Sequence, residues 1–319
     1  MTSNVHGYVQ DVMLQRYARL LGPSLGSFMA NDIFPSVDVP TKTGKFYNVA
    51  GGFASASPGH DMVIADGQDS PLQISTSISK VTGWEVDVNG LGVKLNKSSA
   101  EYAKGNGLDL RQANTAVLAR ECAIHRERQA AALAFSTATF SGKTAALSGS
   151  DQWDNAASDP ISKAQDARDT IIQASGEAPD TCIIGYAVYK ALRQHPLISE
   201  YVSRTQNRVG ILTNDDIARA LDVENLFVGK AVADTAVEGQ TASNAYIWGK
   251  FALFCKLRPS PSAMTPQSCL QRWRMKGSTD GAVRRWEPTP YVEQIDMLWN
   301  DQFAAPTTEL GYLYSTAVS

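Results

Sequence analysis

Gly22-Pro23-Ser24-Leu25-Gly26 spells GxSxG, the pattern of a nucleophile elbow, in which a serine on a sharp strand-to-helix turn attacks a carbonyl. That chemistry needs a strand before the turn and a helix after it. Here a helical pattern precedes Ser24 and a proline-containing extended segment follows, so the spacing lacks its context. Ser141-Gly142-Lys143-Thr144 has the closing residues of a phosphate-binding loop, but the first glycine of that motif would fall at Thr137, and a long helix precedes it. A turn is expected there instead. His60, Asp61, Asp66 and Asp69 carry donor types that suit a hard cation, yet they lie in a Gly/Ser/Asp-rich stretch with no second histidine nearby. Acidic residues in such stretches serve turns and solvation.

His125 stands beside Arg126 and Arg128 in a helical pattern and reads as part of a half-exposed face; His195, just before Pro196, reads as a helix end. Cys122, Cys182, Cys255 and Cys269 are scattered with no CxxC pair, which predicts reduced, buried thiols. No Rossmann glycine pattern, zinc spacing or carboxylate pair emerges, so no catalytic residue, cofactor or metal ligand is assigned. The formal charge of -3 supplies no basic field for gripping phosphates. The opening residues, Met1 to Gly7, lack the cationic and apolar runs of a secretory signal, and no apolar run is long enough to span a bilayer. These features predict a chain made in the cytoplasm.

The elements that would position these residues form an α+β pattern. Val12, Met13, Tyr17, Leu20 and Leu21 recur at helical spacing over residues 9–21, and Gly22-Pro23 stops them. Residues 31–40 read as an extended arm with little core of its own. Strand-like stretches follow at 45–49, 72–81 and 84–88, and the alternation in Gln73 to Ser79 suits half of a long two-stranded ribbon whose other half begins near Lys45. Asp109, with Gln112 three residues on, caps a long helix, and no Pro or Gly interrupts it from Leu108 to Ser141. Leu110, Val117, Ile124 and Ala131 repeat at heptad distance along it, with Arg120, Glu127 and other charges around them.

The loop around Ser148-Gly149-Ser150-Asp151 marks a lobe boundary, and Asp159-Pro160 opens the next helix. Thr181 to Ile184 reads as a buried strand, Tyr186 to Arg193 as a helix ended by His195-Pro196, and Asn214-Asp215-Asp216 as a cap for another helix. Leu226 to Val228, Ala245 to Trp248 and Phe251 to Leu257 read as strands, with a turn at Glu238-Gly239-Gln240. An aromatic, strand-like region through Trp273, Trp286, Tyr291 and Trp299 leads to a last strand near Leu310 to Tyr314.

This order of elements resembles the major capsid proteins of tailed bacteriophages, which have the HK97-like fold. Local stretches resemble that family too: Asp159-Pro160-Ile161, Gly176 through Ile184, Val228-Gly229-Lys230-Ala231, Ala245 to Lys250 and Gly311-Tyr312-Leu313. The resemblance implies an N-terminal arm over 1–40, an E-loop over 41–88, a peripheral domain with its spine helix over 89–157, and an axial domain over 158–269. It further implies a return to the peripheral domain over 270–304 and a segment closing the axial domain over 305–319. No motif identifies the Lys, Asn and Glu of the isopeptide cross-link that some family members form.

What the resemblance implies is a structural protein rather than an enzyme, assembling with itself into pentamers and hexamers of an icosahedral shell around DNA. Packaged DNA would be touched weakly, with Arg120, Arg126 and Arg128 as the DNA-facing residues; scaffolding, portal or decoration proteins would be partners, and a membrane would not. An arm and ribbon poor in apolar residues would find packing partners on neighbouring copies. The alternatives are an encapsulin-like nanocompartment of the same fold enclosing cargo protein, and a soluble hydrolase using Ser24 or the His60 cluster.

Overall fold

The computed structural model describes residues 9–10, 28–50, 77–206, 212–236, 241, 243–258, 268–278 and 281–319. Its elements in chain order are β1 (Val9–Gln10), α1 (Ala30–Ile33), β2 (Ser36–Val39), β3 (Thr43–Ala50), β4 (Ser77–Glu85), β5 (Val88–Asn96), α2 (Lys97–Gly105) and α3 (Leu110–Ala134). There follow β6 (Thr144–Ala146), α4 (Pro160–Ser175), β7 (Thr181–Gly185), α5 (Tyr186–Gln194), α6 (Pro196–Gln206), α7 (Asn214–Ala220), β8 (Asn225–Gly229), β9 (Val232–Asp234) and β10 (Asn244–Tyr246). The chain ends with β11 (Ala252–Cys255), β12 (Gln271–Met275), β13 (Ala282–Thr289), β14 (Val292–Ala304) and β15 (Gly311–Ser315).

The 13-residue strand β14 organises a six-stranded sheet, pairing antiparallel with β13, β5 and β12. β5 was missed by pattern because Gly90 and Gly92 break its alternation. Both glycines have a steric reason: a Cβ at Gly90 would lie 2.3 Å from Leu298 Cδ2, and one at Gly92 would lie 2.2 Å from Asp296 Oδ1. Side chains of β14 therefore lie across β5 where only glycine leaves room. α2, unexpected from the sequence, follows directly, with Asn96 accepting the Ser98 N–H as its cap.

α3 packs on this sheet. Its cap is the expected one, Asp109 accepting from the Arg111 and Gln112 amides. It stops at Ala134 rather than running on towards Ser141, because Phe135 turns into the core, stacked on Phe251 and edge-on to Trp248, each at 5.2 Å. The heptad row is not its buried face either: Val117 is 60% exposed. Thr115, Leu118, Ala119, Cys122, Glu127, Ala130, Ala131 and Ala134 are the residues turned inward.

The second sheet has five strands in the order β6-β15-β11-β7-β8. β7, Thr-Cys-Ile-Ile-Gly, is buried at every position, as a strand covered on both faces must be. One face packs on α4 to α7 through Cys182, Ile184, Phe254, Ile171, Leu192 and Ile217; the other, through Ile183, Leu253 and Leu313, meets the C-terminal end of α3. α4 has the predicted Asp159 cap, Pro160 in its first turn and a left-handed Gly176 at φ 75°. Pro196 does not merely end a helix but begins α6, where a missing N–H costs nothing. α7 is capped by Thr213, whose hydroxyl and Asp216 form a reciprocal capping box, rather than by Asn214. Ile247 and Trp248 lie in a turn after β10, and β10 pairs with β9. β6 joins this sheet from before the loop at Ser148, earlier in the chain than the expected boundary at 158.

Two expectations about the N-terminal region change. Val9 and Gln10 are strand residues paired with Arg285 and Arg284, not helix; the remainder of the expected helix lies outside the described residues. The segment from Met29 to Val39 has more of its own core than expected. Met29, Ala30, Ile33 and Phe34 are buried against Ala130, Ala131 and Ala134 of α3, and β2 pairs in parallel with β12. The ribbon does form: β3 and β4 pair antiparallel from Thr43↔Glu85 to Ala50↔Ser77. Its root rests on the body through Trp84, 6.3 Å from the Trp273 ring, and through the Glu85 amide, which donates to Gln302 Oε1 at 3.0 Å.

Candidate assembly surfaces and the buried clamps behind them

Glu127 is fully buried in the middle of α3. Its Oε1 accepts the Met29 N–H at 3.0 Å and the Trp248 indole N–H at 2.6 Å, and its Oε2 accepts the Ala30 N–H at 2.9 Å. One carboxylate thus holds together α3, the segment leading into α1, and the turn that follows β10. Burial pushes its pKa up, against the pull of the three donated hydrogen bonds. Small neighbours make the approach feasible: Ala130, Ala131 and Ala134 occupy the next turns of the same face.

Beside Glu127 in the sequence, Arg126 converges with Arg272 on Asp301 Oδ2, and both guanidinium groups also donate to Asn31 Oδ1, at 3.2 and 3.0 Å. Asp301 and Arg272 are buried, and Arg126 lies over the Phe303 ring at 5.8 Å. At the start of α3, Arg111 grips the buried Glu293 of β14 with Nε and Nη2 at 2.9–3.1 Å, and this pairing raises the Arg111 pKa. These clamps fix the angle between α3, the six-stranded sheet and the segment 29–34.

The three DNA-facing candidates therefore separate. Arg120 is exposed, and Arg128 is exposed with its guanidinium donating to the Asp234 carbonyl at 2.7 Å. Arg128 stands at the rim of an open groove of about 360 Å³ between the end of α3 and the β9–β10 hairpin. Arg126 faces inward, where it and Arg272 share the Asp301 carboxylate. His125 is exposed, 6.4 Å from the Trp299 ring. His195 is buried, its Nε2 3.2 Å from both Ser158 Oγ and the Asn155 carbonyl, so it ties the α5–α6 joint to the loop before α4.

Ser141 to Thr144 form a turn with Gly142 at φ 77°, and Thr144 enters strand β6 where a phosphate loop would need a helix. Ser24, His60, Asp61, Asp66 and Asp69 lie outside the described residues. Among the described residues no group of three His, Cys, Asp or Glu could hold a metal, and no helix is long and apolar enough to cross a membrane. All four cysteines are free and buried.

Large apolar side chains meet solvent in this isolated chain. Tyr102 on α2 is 78% exposed and Tyr291 in the β13–β14 turn 77%; Val117 on α3 and Val88 and Leu91 on β5 are exposed too. No local pattern separates these apolar residues from those of the core. Neither the Glu127 nor the Asp301 clamp was read from the sequence; the alanine stripe beside Glu127 was the available signal.

A six-stranded sheet crossed by one long helix, a five-stranded sheet flanked by helices, and a projecting ribbon make up the α+β, HK97-like capsid fold. The family model described as phage major capsid protein E matches residues 139–260. The chain is similar to the major capsid protein of Pseudomonas phage JBD67, 26% identical over 72% of each chain. It is 28% identical to the major capsid protein of Burkholderia phage BcepMu over 46% of this chain and 49% of that one. A crystal structure of a phage-related protein from Bordetella bronchiseptica RB50 superimposes with a TM-score of 0.72 at 20% identity, covering 98% of this chain and 99% of that one. The chain shares its fold with these proteins and is similar in sequence to phage major capsid proteins.

Proposed function

We propose that this protein assembles with copies of itself, as pentamers and hexamers, into an icosahedral shell that encloses phage DNA. It does so without catalysing a reaction, and assembly takes place in the host cytoplasm. The observation that carries this reading is the pairing of an internally clamped body with outward apolar side chains, Tyr102, Val117 and Tyr291. In this reading a neighbouring copy covers these large side chains, which the isolated chain leaves in solvent. A ribbon that meets the body at Trp84 and Glu85 supports the same reading, since a two-stranded hairpin is marginal by itself.

In this reading residues 1–40 act as the arm, 41–88 as the E-loop, and α3 as the spine helix of a peripheral domain built on the six-stranded sheet. The five-stranded sheet is the axial domain, entered at Thr144 rather than at 158 because β6 belongs to it. Arg120 and Arg128 are the residues offered to packaged DNA, by nonspecific contact that added salt weakens. Scaffolding, portal or decoration proteins complete the particle.

Size-exclusion chromatography followed by electron microscopy of the purified protein, alone and co-expressed with candidate scaffolding proteins, is the test. Closed shells are expected, and nuclease-protected DNA inside particles from infected cells. Particles loaded with a cargo enzyme instead of DNA would favour the nanocompartment. A small oligomer with hydrolase activity lost on Ser24→Ala would replace the reading altogether.

A further inference from the structure

Two of the four thiols lie side by side where the chain passes from one sheet to the other. Cys255 is the last residue of β11 in the five-stranded sheet, and Cys269 stands two residues before β12 in the six-stranded sheet. Their proximity is fixed from two directions. Cys255 lies directly opposite Gly311 of β15, and a Cβ added to Gly311 would fall 2.8 Å from the Sγ of Cys269. The Cys269 thiol and the Phe140 ring, whose Cε1 would lie 2.6 Å from the same Cβ, together fill the space left by the missing side chain of Cys255's cross-strand neighbour. The Cys269 N–H donates to the carbonyl of Lys256, the residue next to Cys255, at 3.1 Å.

Directly opposed residues of an antiparallel pair have Cβ atoms about 4.5–5.5 Å apart, and a disulfide asks for about 3.5–4.5 Å. A sulfur 2.8 Å from where a Gly311 Cβ would stand is a close neighbour of the Cys255 side chain. The other cysteines are elsewhere: Cys182 faces the opposite side of the five-stranded sheet, in the core beneath α4 to α7, and Cys122 is a side chain of α3.

We propose that Cys255 and Cys269 are a latent disulfide, held as a dithiol in a reducing cytosol and closed when the protein meets an oxidising medium. The bond would staple the last turn of β11 to the entry of β12, fixing the passage between the two sheets. Each thiol gives up its proton and one electron as the S–S bond forms. The electron pair and both protons pass to a small-molecule disulfide such as oxidised glutathione, which is cleaved into two thiols. Both side chains are fully buried, and burial together with the neighbouring thiol raises the Cys255 pKa well above its ordinary value. Exchange proceeds through the thiolate, so closure is slow and requires transient local opening around the two thiols; the same burial then shields the bond from reduction.

The test incubates the purified full-length protein with oxidised or with reduced glutathione, in the native state and during refolding from denaturant. Alkylation in denaturant and non-reducing peptide mapping follow. The expected result is a Cys255–Cys269 linked peptide, two hydrogens lighter than its parts, that disappears on treatment with dithiothreitol while Cys122 and Cys182 are alkylated. The oxidised wild type should also unfold at a higher temperature than the reduced protein, a shift that Cys269→Ser abolishes. Recovery of both Cys255 and Cys269 as alkylated thiols after native exposure and after oxidative refolding would overturn the proposal, as would either one paired to a different cysteine.

Discussion

Replacing Glu127 by glutamine keeps the shape of the side chain but exchanges one of its two acceptor oxygens for an amide donor. In the folded chain those oxygens face three N–H groups, of Met29, Ala30 and Trp248, all in buried residues. Whichever way the amide is turned, at least one buried donor faces another donor. A buried donor left unpaired costs about 1–3 kcal/mol, so Glu127→Gln is expected to destabilise by about that amount. Glu127→Ala orphans all three donors and opens a cavity; water entering the space recovers part of the loss, which leaves about 3–5 kcal/mol.

Denaturant unfolding followed by tryptophan fluorescence measures the cost, and hydrogen exchange at the Met29 and Ala30 amides locates it. The dependence on pH adds a second reading. Burial raises the folded-state pKa of Glu127, so the folded protein holds this proton more tightly than the unfolded chain. The stability linked to that proton is complete below the ordinary glutamate range and is lost as the pH rises through the folded value. The advantage of wild type over Glu127→Gln should therefore grow as the pH falls from neutral into the acid range. Equal unfolding midpoints at neutral pH, with unchanged protection of the two amides, would refute the assignment of Glu127 as the clamp.

Asp301→Ala leaves the Arg126 and Arg272 guanidinium groups without the carboxylate they share, and should cost about 3–5 kcal/mol in a denaturant titration. Gly185→Ala would put a Cβ 1.9 Å from the Gly249 carbonyl oxygen and 2.2 Å from that of Trp248, both backbone atoms. A loss of about 3 kcal/mol or more is expected, visible as low soluble yield and an early unfolding midpoint. Tyr102→Asp and Tyr291→Asp, at exposed positions, should shift the unfolding free energy of the unassembled chain by no more than about 0.5 kcal/mol. Particle yield by electron microscopy should nevertheless fall; unchanged yield would remove these residues from the assembly surface.

Much of the fold was legible wherever a local signal and the tertiary structure agree. Asp109 and Asp159 announced their helices because a cap is satisfied by its own next two amides, and β7 announced itself by an uninterrupted apolar run. Failures came where a distant contact decides. The end of α3 is set by Phe135 meeting Trp248 and Phe251, more than a hundred residues away in sequence, with no glycine or proline to mark it. β5 was hidden because its glycines answer to Leu298 and Asp296 on another strand. Glu127 and Arg126 read as solvated helix charges, since nothing local distinguishes a buried carboxylate or guanidinium from an exposed one until its partners are in view.

The strand order of the second sheet bears on the timing of synthesis. β15, which spans Gly311–Ser315, lies between β6 and β11, more than a hundred and fifty residues after the first of these. Until the ribosome has added that strand, the edges of β6 and β11 face a gap, and Phe254 and Leu253 lack the neighbours that cover them. A subunit cut short before this point would present a split sheet in place of a finished wall, so the chain withholds its building shape until residues 311–315 have been added.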